Sequence, residues 1–567
     1  MTIVSIDTKL ANSINIKEIG HDGHANDNKS TINTYLEIKN PEPTTGSEKS
    51  KNIETTNITS TTCVSMAKFI PIRDGSIDGF DGLQEALNYS ASNNVTIDLP
   101  DNFIIRLDKP GIVAPEGAKL AGGYLSNATI IINHSIPNTP QITVIGGLHV
   151  FSNISFRYNK QLTAIPENTA PIAFGPTFEG GGYFSHYTNI DFGNSYIAMK
   201  LGGDQLGSAS KVHIEGCIGA PLFLGLSIER ILDVPQIMLC HWNYNYLSSD
   251  PIYGYTQSLM NWIHNNGTAY HFGRCDFGTF YGLFSFGYYT HISLRSTRFT
   301  GSAENVIFDS CNCDIATIPI NAKNWSERLT FNNCKLVGDA IITAGLVGKE
   351  PSGSIVSGYQ DSTVFFNNCQ LSNNSSNALT SSADTFISNC YFLRFGIGSN
   401  TGSAKAAISI SNNKNLSLEN TKIDGMPPIG YSAVGATGIL GNTSSGTLNL
   451  GFGVQIKNTA NEGFRWLPGP TKISNGVQFD KQARTGISFL SRYSSDYHSD
   501  VKPSIGNYFN TGDIVHNLRP VKIIMPITDP QTPHYLILGW IRITAVNSDG
   551  SNHTLGVDWE ELRVLTS

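Results

Sequence analysis

Phe331-Asn-Asn-Cys-Lys-Leu336, Phe366-Asn-Asn-Cys-Gln-Leu371 and Ile387-Ser-Asn-Cys-Tyr-Phe392 repeat one six-residue frame. The frame reads apolar, two turn residues, small apolar or Cys, outward residue, large apolar. It also fits Phe151-Ser-Asn-Ile-Ser-Phe156, Tyr187-Thr-Asn-Ile-Asp-Phe192, Ile214-Glu-Gly-Cys-Ile-Gly219, Phe272-Gly-Arg-Cys-Asp-Phe277 and Leu294-Arg-Ser-Thr-Arg-Phe299. Phe308-Asp-Ser-Cys-Asn-Cys313 and Leu418-Glu-Asn-Thr-Lys-Ile423 follow, with Val234 to Leu239 as a weaker copy. The shorter intervals between copies, 20 to 23 residues, match one coil of a parallel β-helix, and longer ones imply loops. One interval, the 14 residues from Thr297 to Cys311, is too short for a coil.

The columns have physical meaning. The first position is apolar in every copy. The third is Asn at 153, 189, 333, 368, 389 and 420, and Asn tolerates the left-handed backbone that a tight corner needs. Six of nine Cys take the fourth position (Cys217, Cys275, Cys311, Cys334, Cys369, Cys390) and read as small buried hydrophobes. The fold expected is all-β: a right-handed parallel β-helix, each coil burying its face on the next.

Outward from this core, residues 1–66 are polar and poor in aromatics and read as a flexible or attachment tail. Residues 67–145 open and cap the solenoid, with helical spacing from Leu83 to Ala91. Coils are expected over 146–424, a Gly-, Ser- and Asn-rich β connector over 425–500, and a small C-terminal β domain over 501–567 for trimerisation or carbohydrate binding. Composition excludes other classes. The 567 residues carry a net charge of -7, only 15% charged side chains and no Lys/Arg run, which argues against a nucleic-acid partner. No stretch approaches the ~20 apolar residues of a membrane span, and the N-terminus lacks a signal-peptide core. Nine Cys are too sparse for a disulfide scaffold, and no recurring carboxylate–histidine spacing suggests a metal, so neither metal nor cofactor is expected.

The frame puts His186, His213, Asp233 and His271 four places before the Cys position, a polar stripe on one outer face. A second concentration runs from Glu229 to Phe286. His241, Trp242, Tyr244, Tyr246 and Trp262 supply rings that could stack on sugar faces, and Tyr255 to His264 has helical spacing. Sugar cleavage usually needs two carboxylates. The candidates are Asp233, Asp276, Glu229 and Glu215, with Asp191 also outward; Arg274, beside Asp276, could bind an acidic sugar or hold that carboxylate ionised.

Several segments resemble bacteriophage tailspikes, nearest the capsule depolymerases: Asp74-Gly-Ser-Ile-Asp before a helix, the Asn and Cys columns, Asp233-Val-Pro with Cys240-His-Trp-Asn-Tyr-Asn, Asn266-Gly-Thr-Ala with Phe272-Gly-Arg-Cys-Asp-Phe, and Phe286-Gly-Tyr-Tyr. The resemblance covers roughly residues 68–567. It implies a homotrimer in the virion tail that binds and endo-cleaves bacterial capsular polysaccharide, with other tail proteins as partners through the N-terminal tail. Glycoside hydrolysis is the expected chemistry; a polysaccharide lyase or a non-catalytic adhesin on the same fold are the alternatives. The catalytic set is Asp233, Asp276, Glu229 and Glu215, and the substrate-binding set Arg274, His241, Trp242, Tyr244, Tyr246, Trp262 and His271.

Overall fold

Three faces of parallel strands wind around one apolar core. The computed structural model describes residues 63–479 except for short stretches, the longest being 339–352 and 426–435, and strand segments between 480 and 566. Sheet A has fifteen strands, from Cys63–Ser65 to Thr471–Ile473, and sheet C fourteen, from Ile112–Ala114 to Ala483–Thr485. Sheet B comes in two runs: four strands from Asp74–Asp78 to Ser155–Tyr158, and ten from Ile218–Gly219 to Gln478–Phe479. In all three sheets the neighbour of a strand is the one a full coil away, and the pairing is parallel. This is the expected parallel β-helix, and right-handed crossover is the rule for parallel connections of this kind.

The coils reach farther than the repeats alone indicate. Cys63–Ser65, inside the stretch read as tail, pairs with Thr96–Asp98 and heads sheet A. Strands in 425–485 continue all three sheets. The rest of the expected tail lies outside the described residues. Helix α1 (Phe80–Asn93) buries Leu83, Ala86 and Leu87 in the core at the N-terminal end, and Asn94 closes it in the left-handed conformation at φ 52. Near the C-terminus five strands from His498–Ser499 to Trp559–Thr566 form a separate sheet, with His534–Arg542 antiparallel to Trp559–Thr566.

The corner between sheets A and B explains the repeat. Its third position is left-handed in coil after coil: Asn153, Asn189, Gly216, Leu239, Gly282, Ser310, Asn333, Asn368, Asn389 and Asn420 all have positive φ. The amides also bond along the stack. Asn189 donates to Asn153 at 3.2 Å, Asn368 to Asn333 at 3.3 Å and Asn420 to Asn389 at 2.7 Å. Behind them the first-position rings stack, Phe308 on Phe331 at 5.2 Å and Phe331 on Phe366 at 5.0 Å.

Three of the expected copies fall out of register. Ile214 pairs with Ile237, and Ile237 with Phe280, so the coil frame there is Ile237 to Trp242 and then Phe280 to Ser285. Phe272 and Leu294 instead lie side by side in sheet C. The cysteine of the column is therefore Cys240, while Cys275 is buried elsewhere. The too-short interval of 14 residues vanishes with this correction. The reason is simple: strands of all three sheets alternate buried and outward residues, so a short apolar pattern does not reveal which sheet it serves.

Candidate functional site

The register correction redistributes the expected site. The outer column of sheet A reads His186, His213, Gln236 and Thr279; Asp233 and His271 are not in it. His186 and His213 lie 5.2 Å apart, and His213 holds Glu215 at 3.1 Å. Asp233 sits on a turn, paired with Lys211 at 2.9 Å; that ammonium's hydrogen bond keeps the carboxyl below its ordinary range. Trp242 is wholly buried between Phe192 and Tyr270, and Tyr244 is buried beside Phe286, so neither presents a face to a sugar. They follow the inward alternation of their segment. His241 and Tyr246 do meet at the surface of sheet B, with 3.0 Å between the hydroxyl and Nδ1, and burial lowers the affinity of His241 for a proton. Helix α2 (Gln257–Asn266), capped by the Thr256 side chain, carries Trp262 against Tyr196 and Phe223.

Glu229, His271, Arg274 and Asp276 come together where sheet C ends. Each stands at or just beyond the end of a sheet C strand, and residues 295–301 fold back over them. Glu229 is fully buried and fastens that segment down. It accepts the backbone N–H of Thr297 at 3.0 and 3.1 Å, that of Arg298 at 2.7 Å, and the Thr297 hydroxyl. His271 Nε2 lies 3.3 Å and the Arg298 guanidinium 3.5 Å from the same carboxylate. Burial alone would raise its pKa; the bonds from His271, Thr297 and Arg298 outweigh that and hold it at about 2. His271 is itself lowered by burial, which the bond to Glu229 only partly offsets. With every lone pair engaged and no exposed surface, Glu229 is a pin rather than a reacting acid.

Arg298 is equally committed. It donates to the Ser227 hydroxyl at 2.6 Å and to the carbonyls of Gly202 and Leu201 at 3.1 Å each. The folded-back segment and the loop after Leu201 enclose a cleft of about 730 Å3, lined by Lys200, Asp204, Gln205, Thr297, Phe299 and Thr300 among others. Lys200 is tied to Glu179 at 2.6 Å. Phe299, in the wall of the cleft, has two guanidiniums near its ring, Arg230 at 5.5 Å and Arg274 at 5.8 Å. Arg274 grips Asp276, with Nε at 3.3–3.4 Å and a terminal nitrogen at 3.0 Å. Asp276 is bridged by its backbone to Glu304 on the next coil, and Arg274 feels the charge of both.

Lys200, Asp204, Arg230, Arg298, Phe299 and Glu304 were not singled out by the sequence. The six-residue frame places Leu294 to Phe299 in a coil, although the segment begins in sheet C and runs on into the wall of the cleft. The interval of 14 residues was the signal that could have exposed it. Among the described residues no cluster of His, Cys, Asp and Glu could hold a metal.

No family model and no curated protein matches this chain. Solved structures similar to it include phage tailspikes. The tailspike protein of Dettilon is 12% identical over 86% of this chain and 79% of its own, with a TM-score of 0.36. The tailspike of E. coli bacteriophage HK620, a double mutant in complex with a pentasaccharide, is 15% identical over 74% of this chain and 78% of its own, at 0.37. The Acinetobacter phage vb_AbaP_AS12 gp42 tailspike is 12% identical over 90% and 81%, at 0.35. The coil architecture rests on the strand pairing and not on these likenesses.

Proposed function

We propose that the chain is a phage tailspike that binds bacterial capsular or other surface polysaccharide and cuts it internally, by glycoside hydrolysis at a carboxyl pair beyond the end of sheet C. One juxtaposition carries this reading. Asp276 and Glu304 are bridge partners on neighbouring coils, with Arg274 beside both. Coils lie about 4.8 Å apart, which brings two such carboxyls into the separation of about 5–9.5 Å used by paired glycosidase acids. Asp276, nearly buried and held by the Arg274 guanidinium, is assigned the role of nucleophile or base. Glu304, half-buried with no ion pair among the described residues, is the second carboxyl of the pair. The resemblance to capsule depolymerases supports a polysaccharide substrate and is compatible with hydrolysis or elimination, and it also implies a homotrimer held in the virion tail through the N-terminal residues.

Incubation with a panel of capsular polysaccharides tests the proposal. New reducing ends without ultraviolet absorbance of unsaturated uronates support hydrolysis; that absorbance would make the protein a lyase, and binding without shortening an adhesin. In the responsive polymer, Asp276→Asn and Glu304→Gln should each slow cleavage by about 10²–10⁴-fold while binding persists. Unchanged rates in both would remove the pair from the mechanism.

A further inference from the structure

We propose that the polymer taken by this cleft is acidic, and that a sugar carboxylate is received by Arg230 beside the Phe299 ring. The inference rests on the depolymerase reading and narrows its substrate class.

Two cations line the cleft, Lys200 and Arg298, and two more, Arg230 and Arg274, stand beside Phe299 of its wall; three of these four have anions. Lys200 belongs to Glu179, Arg298 to Glu229 and Arg274 to Asp276. Arg230 is left over. Its one polar side-chain contact among the described residues is a long 3.5 Å approach to the carbonyl of Gly203, and its Nε is buried without a partner. Burying a guanidinium donor unsatisfied costs free energy that a bound anion would recover.

Its placement makes the surplus charge harder to explain as accident. Ile228 pairs with Phe272 and Ile231 with Cys275, so Arg230 and Arg274 occupy equivalent places on adjacent coils. Like charges directly opposite across neighbouring strands repel. Only one of the two has a carboxylate. Arg230 also holds a left-handed backbone, φ 55, a conformation that is strained for any residue with a Cβ. The Phe299 ring near both guanidiniums is half-buried and lines the cleft. A planar fork beside an aromatic ring suits a sugar acid: the fork takes the carboxylate in two parallel bonds, and the ring meets the apolar face of the pyranose. A free inorganic anion would use the fork but not the ring.

The test uses the full chain and a panel of purified acidic and neutral capsular polysaccharides, each native and after carbodiimide–borohydride reduction of its carboxylates to alcohols. The bound polymer should be acidic, and its reduction should weaken binding about 10- to 100-fold. Arg230→Gln should cost the same factor on the native polymer and nothing further on the reduced one. Arg230→Lys, which keeps the charge without the fork, should fall between, and it serves as the readout if the Gln variant fails to fold. A polymer bound equally well native and reduced, or a neutral polymer preferred, would overturn the inference and leave the depolymerase reading standing. Absence of binding to every polymer would remove both.

Discussion

Gly273 shows how closely the pin at Glu229 is built. A Cβ placed there would lie 2.1 Å from Glu229 Cγ and 2.4 Å from its carboxyl carbon, so only glycine leaves room for the carboxylate. Gly273→Ala should therefore loosen residues 295–301 and reduce cleavage more than binding to the coils elsewhere, measurable as a lowered Tm together with faster proteolysis within that segment. Glu229→Gln leaves the half-buried Arg298 without its counter-charge and should cost about 3–5 kcal/mol. The pH dependence has a definite sign. The carboxyl titrates at about 2 when folded against 4.5 as its ordinary value. Its contribution is complete above 4.5 and is lost as pH falls through 2. Thermal unfolding of the parent from pH 5 to 2 should therefore show an acid-side loss that Glu229→Gln lacks; parallel profiles would mean the carboxylate is not the stabilising species. At this scale the sequence was only half legible. Glu229, Arg274 and Asp276 stand out as charged residues beside an aromatic-rich loop, but residue type alone offers Trp242 and Tyr244 as stacking rings, when the alternation of their segment turns them inward.

The elements that repeat are strands meeting at a left-handed corner, and two coils break the corner's preference for Asn or Gly, Ser310 mildly and Leu239 sharply. Leu239 sits between Gly216 and Gly282 in the stack at φ 56, about half exposed, where most other coils use Asn or Gly. A leucine there carries the steric cost of the left-handed region without the amide bonds that Asn supplies. Leu239→Asn is expected to stabilise the chain by about 1 kcal/mol and to raise Tm, whereas Asn368→Ala, which removes the bond to Asn333, should lower it by a similar amount. A lower Tm for Leu239→Asn would instead assign the exposed leucine to a contact surface. The column was legible because Asn and Gly answer one steric demand. The sheet to which each strand belongs was not, since Phe272 and Leu294 satisfy in sheet C the same burial that Phe280 and Phe308 satisfy in sheet A.

For the molecule as a whole, the outer column of sheet A changes character along its length. Polar at His186 and His213, it becomes apolar at Ile307, Phe365 and Phe386, with the last two rings stacked at 5.1 Å and Phe386 40% exposed. Such a face suits contact between copies. Sedimentation should give a particle of three times the 61.5 kDa chain mass, and Phe386→Asp should lower it; a monomer at micromolar concentration would contradict the proposed trimer. This face could be read from the frame, because outward positions are assigned once the register is known. The cleft could not, because it depends on where a loop between two sheets folds back.

The corner between sheets A and B has one more consequence. From Ser152 to Asp424 the chain crosses it with two intervening residues in each coil, whereas the crossing from sheet B to sheet C holds the helix α2 excursion, and that from C to A holds the segment around Phe299. Insertion or deletion at the first corner would break the amide stack above and below it; at the other two it only redraws a surface. Change in what the molecule grips is thereby channelled to two edges, and the third serves as a fixed spine along which whole coils, not single residues, are the unit of gain and loss.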